Sequence, residues 1–228
     1  MENNIKLVLL DVDNTLLDFE KNAQKSLEIT FNELGYGYKD DYPKVFKRIN
    51  DVLWKDVELK KITRDELHQI RFGLIFKELG ITGDVTETEK HFLGNLNYCT
   101  IFVDGAMDLV KYLSQKYTLC SASNAPYVQQ VERLTNSGIK PYLKHLFVSQ
   151  KLGYNKPDPR FFEECFKVAT GFKKEETIII GDSLSADILG GINFGIKTIW
   201  FNFENKPKNN NVIPNYTVYK LEEIKNIL

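Results

Sequence analysis

Apolar residues run along the 228-residue chain in two different rhythms. Near the start, Leu7, Val8, Leu9 and Leu10 fill consecutive positions with no polar residue between them. An unbroken run of this kind predicts a strand buried on both faces. It ends abruptly at Asp11 and Asp13. After Thr15 the spacing turns helical: Phe19, Ala23, Leu27, Phe31 and Leu34 recur every three or four residues, and Gly35 supplies a stop. Val45, Phe46, Ile49, Val52, Leu53 and Val57 predict a second helix. Thr63 and Glu66 form a capping-box signature ahead of Leu67, Ile70, Leu74 and Leu79, with Gly80 as the terminator. A fourth helix is expected from about Thr86, carrying Phe92, Leu93 and Leu96. Four such helices can bury a shared face as a small bundle. No strand pattern interrupts them, so residues 16–98 are predicted to be an insertion after the first strand.

From about Val103 helices and strands alternate. Strands are expected at 117–121, 146–149, 177–180 and 198–201, with an edge strand at 216–218. Helices are expected around Met107–Leu113, from Pro126 to Gly138, from Asp158 to Gly171, from Ser185 to Phe194 and from Leu221 to Leu228. Alternation of this kind predicts a parallel sheet covered on both faces. The chain is thus expected to divide into a core of 1–15 and 99–228 and a helical domain of 16–98, with flexible joins near 16–18 and 97–102.

Composition narrows the partners. Thirty basic residues against 31 acidic leave a net charge of −1, so no global field draws nucleic acid or an anionic membrane. No apolar run approaches the ~20 residues of a membrane span. The opening Met1-Glu2-Asn3-Asn4 lacks the basic stretch of a signal peptide. Cys99, Cys120 and Cys165 are scattered and odd in number, which suits a reducing, cytoplasmic setting. His68, His91 and His145 form no metal-ligand pattern.

The candidate chemistry lies at the predicted strand ends. In open α/β sheets these ends line the binding crevice. Asp11 and Asp13 follow the first strand. Two carboxylates about 4 Å apart at an effective dielectric of about 20 repel by roughly 4 kcal/mol. A proton, a lysine or a divalent cation has to offset that. Asp-Asn-Thr is also ordinary turn chemistry, so this stretch alone does not decide between a turn and a site. Further polar elements follow other strands: Ser123-Asn124, Lys156 within Lys-Pro-Asp-Pro, and Gly181-Asp182 with Asp187 five residues on. Singly, each reads as a helix cap or a loop residue. Jointly, they gather four carboxylates, a hydroxyl and an ammonium at one sheet edge, which is a phosphate-plus-cation site. There a carboxylate can attack a phosphoryl group, a hard cation such as Mg²⁺ can neutralise its oxygens, and a second carboxyl can move the proton.

Asp-x-Asp-x-Thr at 11–15, Ser-Asn at 123–124, Lys156 before Pro-Asp-Pro, and Gly-Asp-x4-Asp at 181–187 together resemble, in order, the four motifs of the haloacid dehalogenase-like (HAD) hydrolases. The resemblance covers the whole chain, and the helical insertion stands where the family carries a C1 cap. It implies a Rossmann-like α/β core plus a helical-bundle cap. It also implies Asp11 as nucleophile and Mg²⁺ ligand, and Asp13 as general acid–base offering its backbone carbonyl to the metal. Ser123 and Asn124 would hold the phosphoryl oxygens, and Lys156 would stabilise nucleophile and phosphoryl charge. Asp182 would ligate Mg²⁺ and Asp187 would support its water shell. Ala125 departs from the glycine frequent in the second motif. Ser121 and Lys151 are rivals for the hydroxyl and lysine roles, set aside because Asn124 follows Ser123 and Pro-Asp-Pro follows Lys156. Dehalogenases of the superfamily lack an acid–base aspartate at the position of Asp13, so phosphate-ester hydrolysis is favoured.

The segment from Asn50 through Trp54 to Arg71 is similar to caps of pyrimidine nucleoside 5′-monophosphate phosphatases. This makes Asn50, Trp54 and Arg71 candidate substrate residues, although each can equally pack within the bundle. The expected partner is a small-molecule phosphate ester, first a nucleoside 5′-monophosphate, with no nucleic acid polymer and no membrane. A monomer or weak dimer is expected. A sugar-phosphate mutase is the nearest enzymatic alternative. A phospho-accepting receiver domain is the non-enzymatic one, but it is half as long and lacks the insertion.

Overall fold

A computed structural model describes residues 4–228. Two compact units emerge: one holds the chain up to Asp18 and from Ile101 to Leu228, the other Phe19–Thr100.

The first unit is built on a parallel sheet. Its strands are β1 (Leu7–Leu10), β2 (Thr118–Ser123), β3 (His145–Val148), β4 (Thr177–Gly181), β5 (Lys197–Phe201) and β6 (Tyr216–Val218), in the order β3-β2-β1-β4-β5-β6. β1 lies between β2 and β4, with Leu10 opposite both Ser121 and Ile180. The unbroken apolar run of β1 is explained by what covers it. Val8 and Leu10 face one layer with Leu109, Leu113 and Leu134, while Leu7 and Leu9 face the other with Phe161, Phe162 and Cys165. Successive strand residues point to opposite faces, so a strand with helices on both sides has no position left for a polar side chain. All four β1 residues are fully buried. Each such side chain contributes roughly 1.5–3 kcal/mol of hydrophobic stabilisation.

Strand order reverses at β1: the chain builds outward through β2 and β3, then returns to β4 on the far side. That crevice, beyond the carboxyl ends of β1 and β4, is where this topology binds ligands.

The second unit contains α1 (Phe19–Glu33), α2 (Tyr42–Glu58), α3 (Arg64–Leu79) and α4 (Val85–Leu96). The capping box is formed at the start of α3: Glu66 N–H donates to Thr63 Oγ1 at 3.1 Å, and Thr63 N–H to Glu66 Oε2 at 2.7 Å. Gly80 closes it with φ of 66°, the left-handed conformation glycine adopts without steric cost. The helices pack through an aromatic cluster that includes Phe31, Phe46, Phe72, Phe76 and Phe92.

Inside that cluster lies Arg71, only 2% exposed. Its guanidinium donates to Asn50 Oδ1 at 2.8 Å and to both carboxylate oxygens of Glu89, at 3.2 and 2.5 Å. It also lies over the Phe92 ring at 4.8 Å. Arg71 and Asn50, expected as candidate substrate residues, are both buried in a hydrogen-bonded network of the bundle, with Glu89 as the acidic partner of Arg71. Trp54 is half-buried and packs against the same apolar cluster.

The remaining helices are α5 (Ala106–Ser114), α6 (Tyr127–Asn136), α7 (Ser149–Leu152), α8 (Pro159–Val168) and α9 (Leu189–Phe194). Several boundaries differ from the sequence reading. The division falls at 18/19 and 100/101, not 15/16 and 98/99, because Leu16 and Leu17 are fully buried in the sheet unit and Leu17 bridges to Asp13 and Phe102. β2 runs on to Ser123, because Ala122 and Ser123 pair with Phe147 and Val148. Pro126 precedes α6 in an extended conformation instead of lying in its first turn. Ser149 starts the one-turn α7, too short to leave a periodic signal. The final helix is a 3-10 segment, Leu221–Asn226. The side chains of Cys99, Cys120 and Cys165 are buried. Among the described residues no helix is long and apolar enough to cross a membrane.

Removing one partner of a buried ion pair leaves the other uncompensated, at a cost of roughly 3–5 kcal/mol. Arg71→Ala is therefore expected to destabilise the protein by about that amount in urea unfolding. A loss below about 1 kcal/mol would mean that Arg71 is not a structural hub of the bundle.

Candidate active site

Asp11 follows the last residue of β1, and its N–H donates to Ile180 O at 2.9 Å, so its backbone is still held by the sheet. The chain then turns back at once. The N–H groups of Leu16 and Leu17 both donate to Val12 O at 2.9 Å, and Asn14 takes a φ of 60°, which asparagine tolerates better than most side chains. Asp11 and Asp13 are thus carried by a strand end and a tight turn, not by one continuous strand.

Lys156 is the centre of the arrangement. It is 1% exposed, and its ammonium donates to Asp11 Oδ1 at 2.9 Å, to Asp187 Oδ1 at 2.5 Å and to the backbone oxygen of Ala122. These three acceptors match the three N–H bonds of an ammonium, which is what a fully buried lysine requires. The loop carrying Lys156 is anchored by a reciprocal pair: Asn124 Nδ2 donates to Lys156 O, and Lys156 N–H donates to Asn124 Oδ1, each at 2.9 Å. Asn124 therefore uses its side chain to fix the lysine loop.

The β4 end supplies the second half. Asp182 N–H donates to Thr15 Oγ1 at 3.1 Å, and Thr15 Oγ1 donates to Asp11 Oδ2 at 3.0 Å, so one hydroxyl ties both strand ends together. Trp200 Nε1 holds Asp182 O at 3.0 Å. The expected α-helix from Ser185 begins instead as a π-helical turn, Leu184–Ile188, which continues into α9. Ser183 caps it, and Ile188 N–H reaches back five residues to Ser183 O. Such wide turns are frequent at functional sites. Here the turn folds Asp187 over Gly181, and a Cβ on Gly181 would meet Asp187 Oδ2 at 2.2 Å. Only glycine leaves room for that carboxylate.

Carboxylate oxygens of Asp11, Asp182 and Asp187 come within 4.8 Å of one another. An all-oxygen donor set without imidazole or thiolate fits a hard divalent cation such as Mg²⁺. Lys156 already neutralises part of the cluster, so these carboxylates fit one such ion.

Asp13 stands apart from this triad. Its side chain is 29% exposed, and its Oδ1 accepts from Arg133 at 2.6 Å. Ser123, almost fully buried, accepts from Gln130 Nε2 at 2.8 Å, whereas the Ser121 hydroxyl is buried without a hydrogen-bond partner. Lys151 lies over the Tyr127 ring at 4.6 Å and does not enter the cluster. Thr15 belongs to the Asp-x-Asp-x-Thr motif, but its bridging bonds, and the contributions of Gln130 and Arg133, are visible only in the structure. The signal available was the spacing of Gln130 and Arg133, three apart on one helix face.

Burial raises the Asp11 carboxyl to about 7 from an ordinary 3.8, with Asp187 adding to the rise and Lys156 opposing it. Asp182 is pushed well above its ordinary value, by burial first and then by Asp11 and Asp187. Lys156 loses charge stability to burial, but Asp11 and Asp187 more than restore it, so it is held above its ordinary value. A carboxyl raised in the folded state binds its proton more tightly there than in the unfolded chain, so stability falls as pH climbs from about 4 to about 7. Glu33, Glu66 and Glu176, lowered by hydrogen bonds, act below 4.5 and outside that window. A bound cation takes the place of the proton. The melting temperature in EDTA is expected to drop between pH 5 and pH 8, and Mg²⁺ to restore more at pH 8 than at pH 5. Equal Mg²⁺ shifts at both pH values, measured by scanning calorimetry, would contradict a metal site at these carboxylates.

Comparison with known proteins agrees with this geometry. A model of the haloacid dehalogenase-like hydrolases matches residues 5–195. The HAD-hydrolase YfnB of Bacillus subtilis (strain 168) is 37% identical over 223 residues, spanning 98% of this chain and 95% of YfnB. The pyrimidine 5′-nucleotidase PynA of Streptococcus pneumoniae (strain ATCC BAA-255 / R6) is 37% identical over 229 residues, spanning 98% and 97%. The crystal structure of the orthorhombic form of YfnB, bound to magnesium, matches with a TM-score of 0.93 at 37% identity, covering 98% of each chain. With its sheet order, its acidic strand ends and these full-length matches, the chain belongs to the haloacid dehalogenase-like hydrolases.

Proposed function

We propose that this hydrolase is a Mg²⁺-dependent phosphomonoesterase that works through a phosphorylated Asp11 and takes nucleoside 5′-monophosphates, pyrimidine ones first. The observation that carries the reaction class is the ammonium of Lys156 bridging Asp11 and Asp187, with Asp182 beside them. Asp13, two residues on, supplies the proton-moving carboxyl that an alkoxide leaving group needs. The substrate reading is supported by the likeness to PynA over nearly the whole of both chains. The helical unit Phe19–Thr100 would serve as the cap.

Asp11, Asp182 and Asp187 would hold Mg²⁺, which when bound would neutralise charge on the phosphoryl oxygens. The rest is done by the chain. An Asp11 carboxylate oxygen attacks phosphorus in line, the phosphorus–oxygen bond to the ester breaks, and the Asp13 carboxyl gives its proton to the departing oxygen. Ser123 and the Asn124 backbone hold the phosphoryl oxygens, and Lys156 keeps its charge on the same side. Asp13, now a carboxylate, takes a proton from a water that attacks the phosphorus of the acyl phosphate, releasing phosphate and regenerating Asp11. Each piece is needed, because phosphate-monoester hydrolysis demands accelerations of up to about 10²¹.

Phosphate release from a panel of esters, with and without Mg²⁺, tests this directly. Release is expected to need Mg²⁺, to favour pyrimidine monophosphates over sugar phosphates and p-nitrophenyl phosphate, and to fall at least about 10³-fold in Asp11→Asn. A folded, Mg²⁺-bound protein that hydrolyses no ester would refute the reaction class. Turnover of sugar phosphates equal to that of nucleotides would refute only the substrate.

A further inference from the structure

We propose that Gln130 and Arg133, on one face of α6, are positioning residues that hold the Asp13 carboxyl in register with the Ser123 hydroxyl. The inference rests on the acid–base reading of Asp13 given above.

Arg133 is 2% exposed, and a buried guanidinium is costly unless paired. Its Nη1 donates to Asp13 Oδ1 at 2.6 Å and to Gln130 Oε1 at 3.0 Å. Gln130 is fully buried, and its Nε2 donates to Ser123 Oγ at 2.8 Å and to Asp13 Oδ2 at 3.2 Å. Both oxygens of Asp13 are therefore held from the same helix. The residues lie three apart, which places them on one face of α6. The helix starts immediately after Asn124-Ala125-Pro126, so the segment that delivers Ser123 also braces Asp13.

This arrangement links two groups with different tasks. Ser123 is to hold an oxygen of the transferring phosphoryl group, and Asp13 is to reach the ester oxygen on the other side of the breaking bond. One amide group donates to both. A partly exposed aspartate at the mouth of a site otherwise samples several rotamers, and misplacement by about 1 Å can cost about 10²-fold in rate. An arginine serving only to fill the core would be matched by a buried acid. Here the carboxylate that Arg133 meets at 2.6 Å is the partly exposed Asp13.

Leaving-group dependence separates positioning from bulk structure, because a dinitrophenolate departs without a proton and an alkoxide does not. The kcat and KM of Arg133→Met, Arg133→Lys and Gln130→Leu are measured on dinitrophenyl phosphate and on a nucleoside monophosphate or alkyl phosphate. Arg133→Met is expected to lower kcat/KM, which reports formation of the phosphorylated Asp11, at least about 10-fold on the alkyl ester and less than about 3-fold on the dinitrophenyl ester, while kcat falls for both where the shared hydrolysis of that intermediate limits it. Arg133→Lys should recover part of the loss. Gln130→Leu should show the same selectivity and in addition raise KM, since Ser123 loses its donor. A loss of kcat/KM in Arg133→Met equal for both esters would overturn the proposal. Should Arg133→Met not fold, Arg133→Lys and Gln130→Leu carry the test by the same selectivity. Asp13→Asn is the reference. If it is selective and the α6 variants are not, the positioning role fails alone. If Asp13→Asn is not selective either, the acid–base reading fails and the proposal falls with it.

Discussion

One buried ammonium holds the acidic cluster together. Asp11, Asp182 and Asp187 crowd their oxygens within 4.8 Å, an arrangement that repels itself by several kcal/mol before any substrate arrives. Lys156 reaches Asp11 and Asp187 from beneath and spends its third proton on the backbone of Ala122. Its own burial is tolerable only because those carboxylates surround it. The two penalties, like charges together and a cation out of water, therefore offset one another. The remaining imbalance appears in the raised carboxyls of Asp11 and Asp182, which make the cluster receptive to a divalent cation.

The surrounding structure serves that geometry. β1 and β4 end side by side, so their terminal aspartates converge, and Thr15 locks the two ends with one hydroxyl. Gly181 leaves space for Asp187, and the π-helical turn at Leu184–Ile188 folds that residue back over the strand end. On the other side of β1, α6 braces Asp13 and Ser123 through Gln130 and Arg133. Strand ends, a tight turn, α6 and a loop pinned by Asn124 thus hold the groups proposed for the phosphoryl centre. Precise placement matters there, because positioning and electrostatics supply most of the catalysis in phosphoryl transfer.

The helical unit solves a different problem with similar means. Arg71 is a buried cation, paired with Glu89 and Asn50 and ringed by phenylalanines. Its network ties α3 to α2 and α4. Arg71, Asn50 and Glu89 are therefore engaged with one another inside the bundle.

The sheet, the helical insertion and the four motif segments were legible in the sequence because they depend on local rules. A short unbroken apolar run bounded by polar turn residues points to a doubly covered strand, a three-to-four spacing marks a helix face, and a capping box announces its own helix. The motif aspartates and Lys156 stood out jointly, as a set of charged and polar residues that the strand–helix alternation brings to one sheet edge. What the sequence left open was every question of partnership. Arg71 reads equally as an anion-binding residue or a core cation, and only the positions of Glu89 and Asn50, 18 and 21 residues away, decide it. The pairing of Asp13 with Arg133 spans 120 residues and leaves no local trace. Nor does the extension of β2 to Ser123, which depends on pairing with β3. The backbone's local preferences are written residue by residue, whereas the partner of a buried charge is chosen by whichever distant segment folding brings within hydrogen-bond reach.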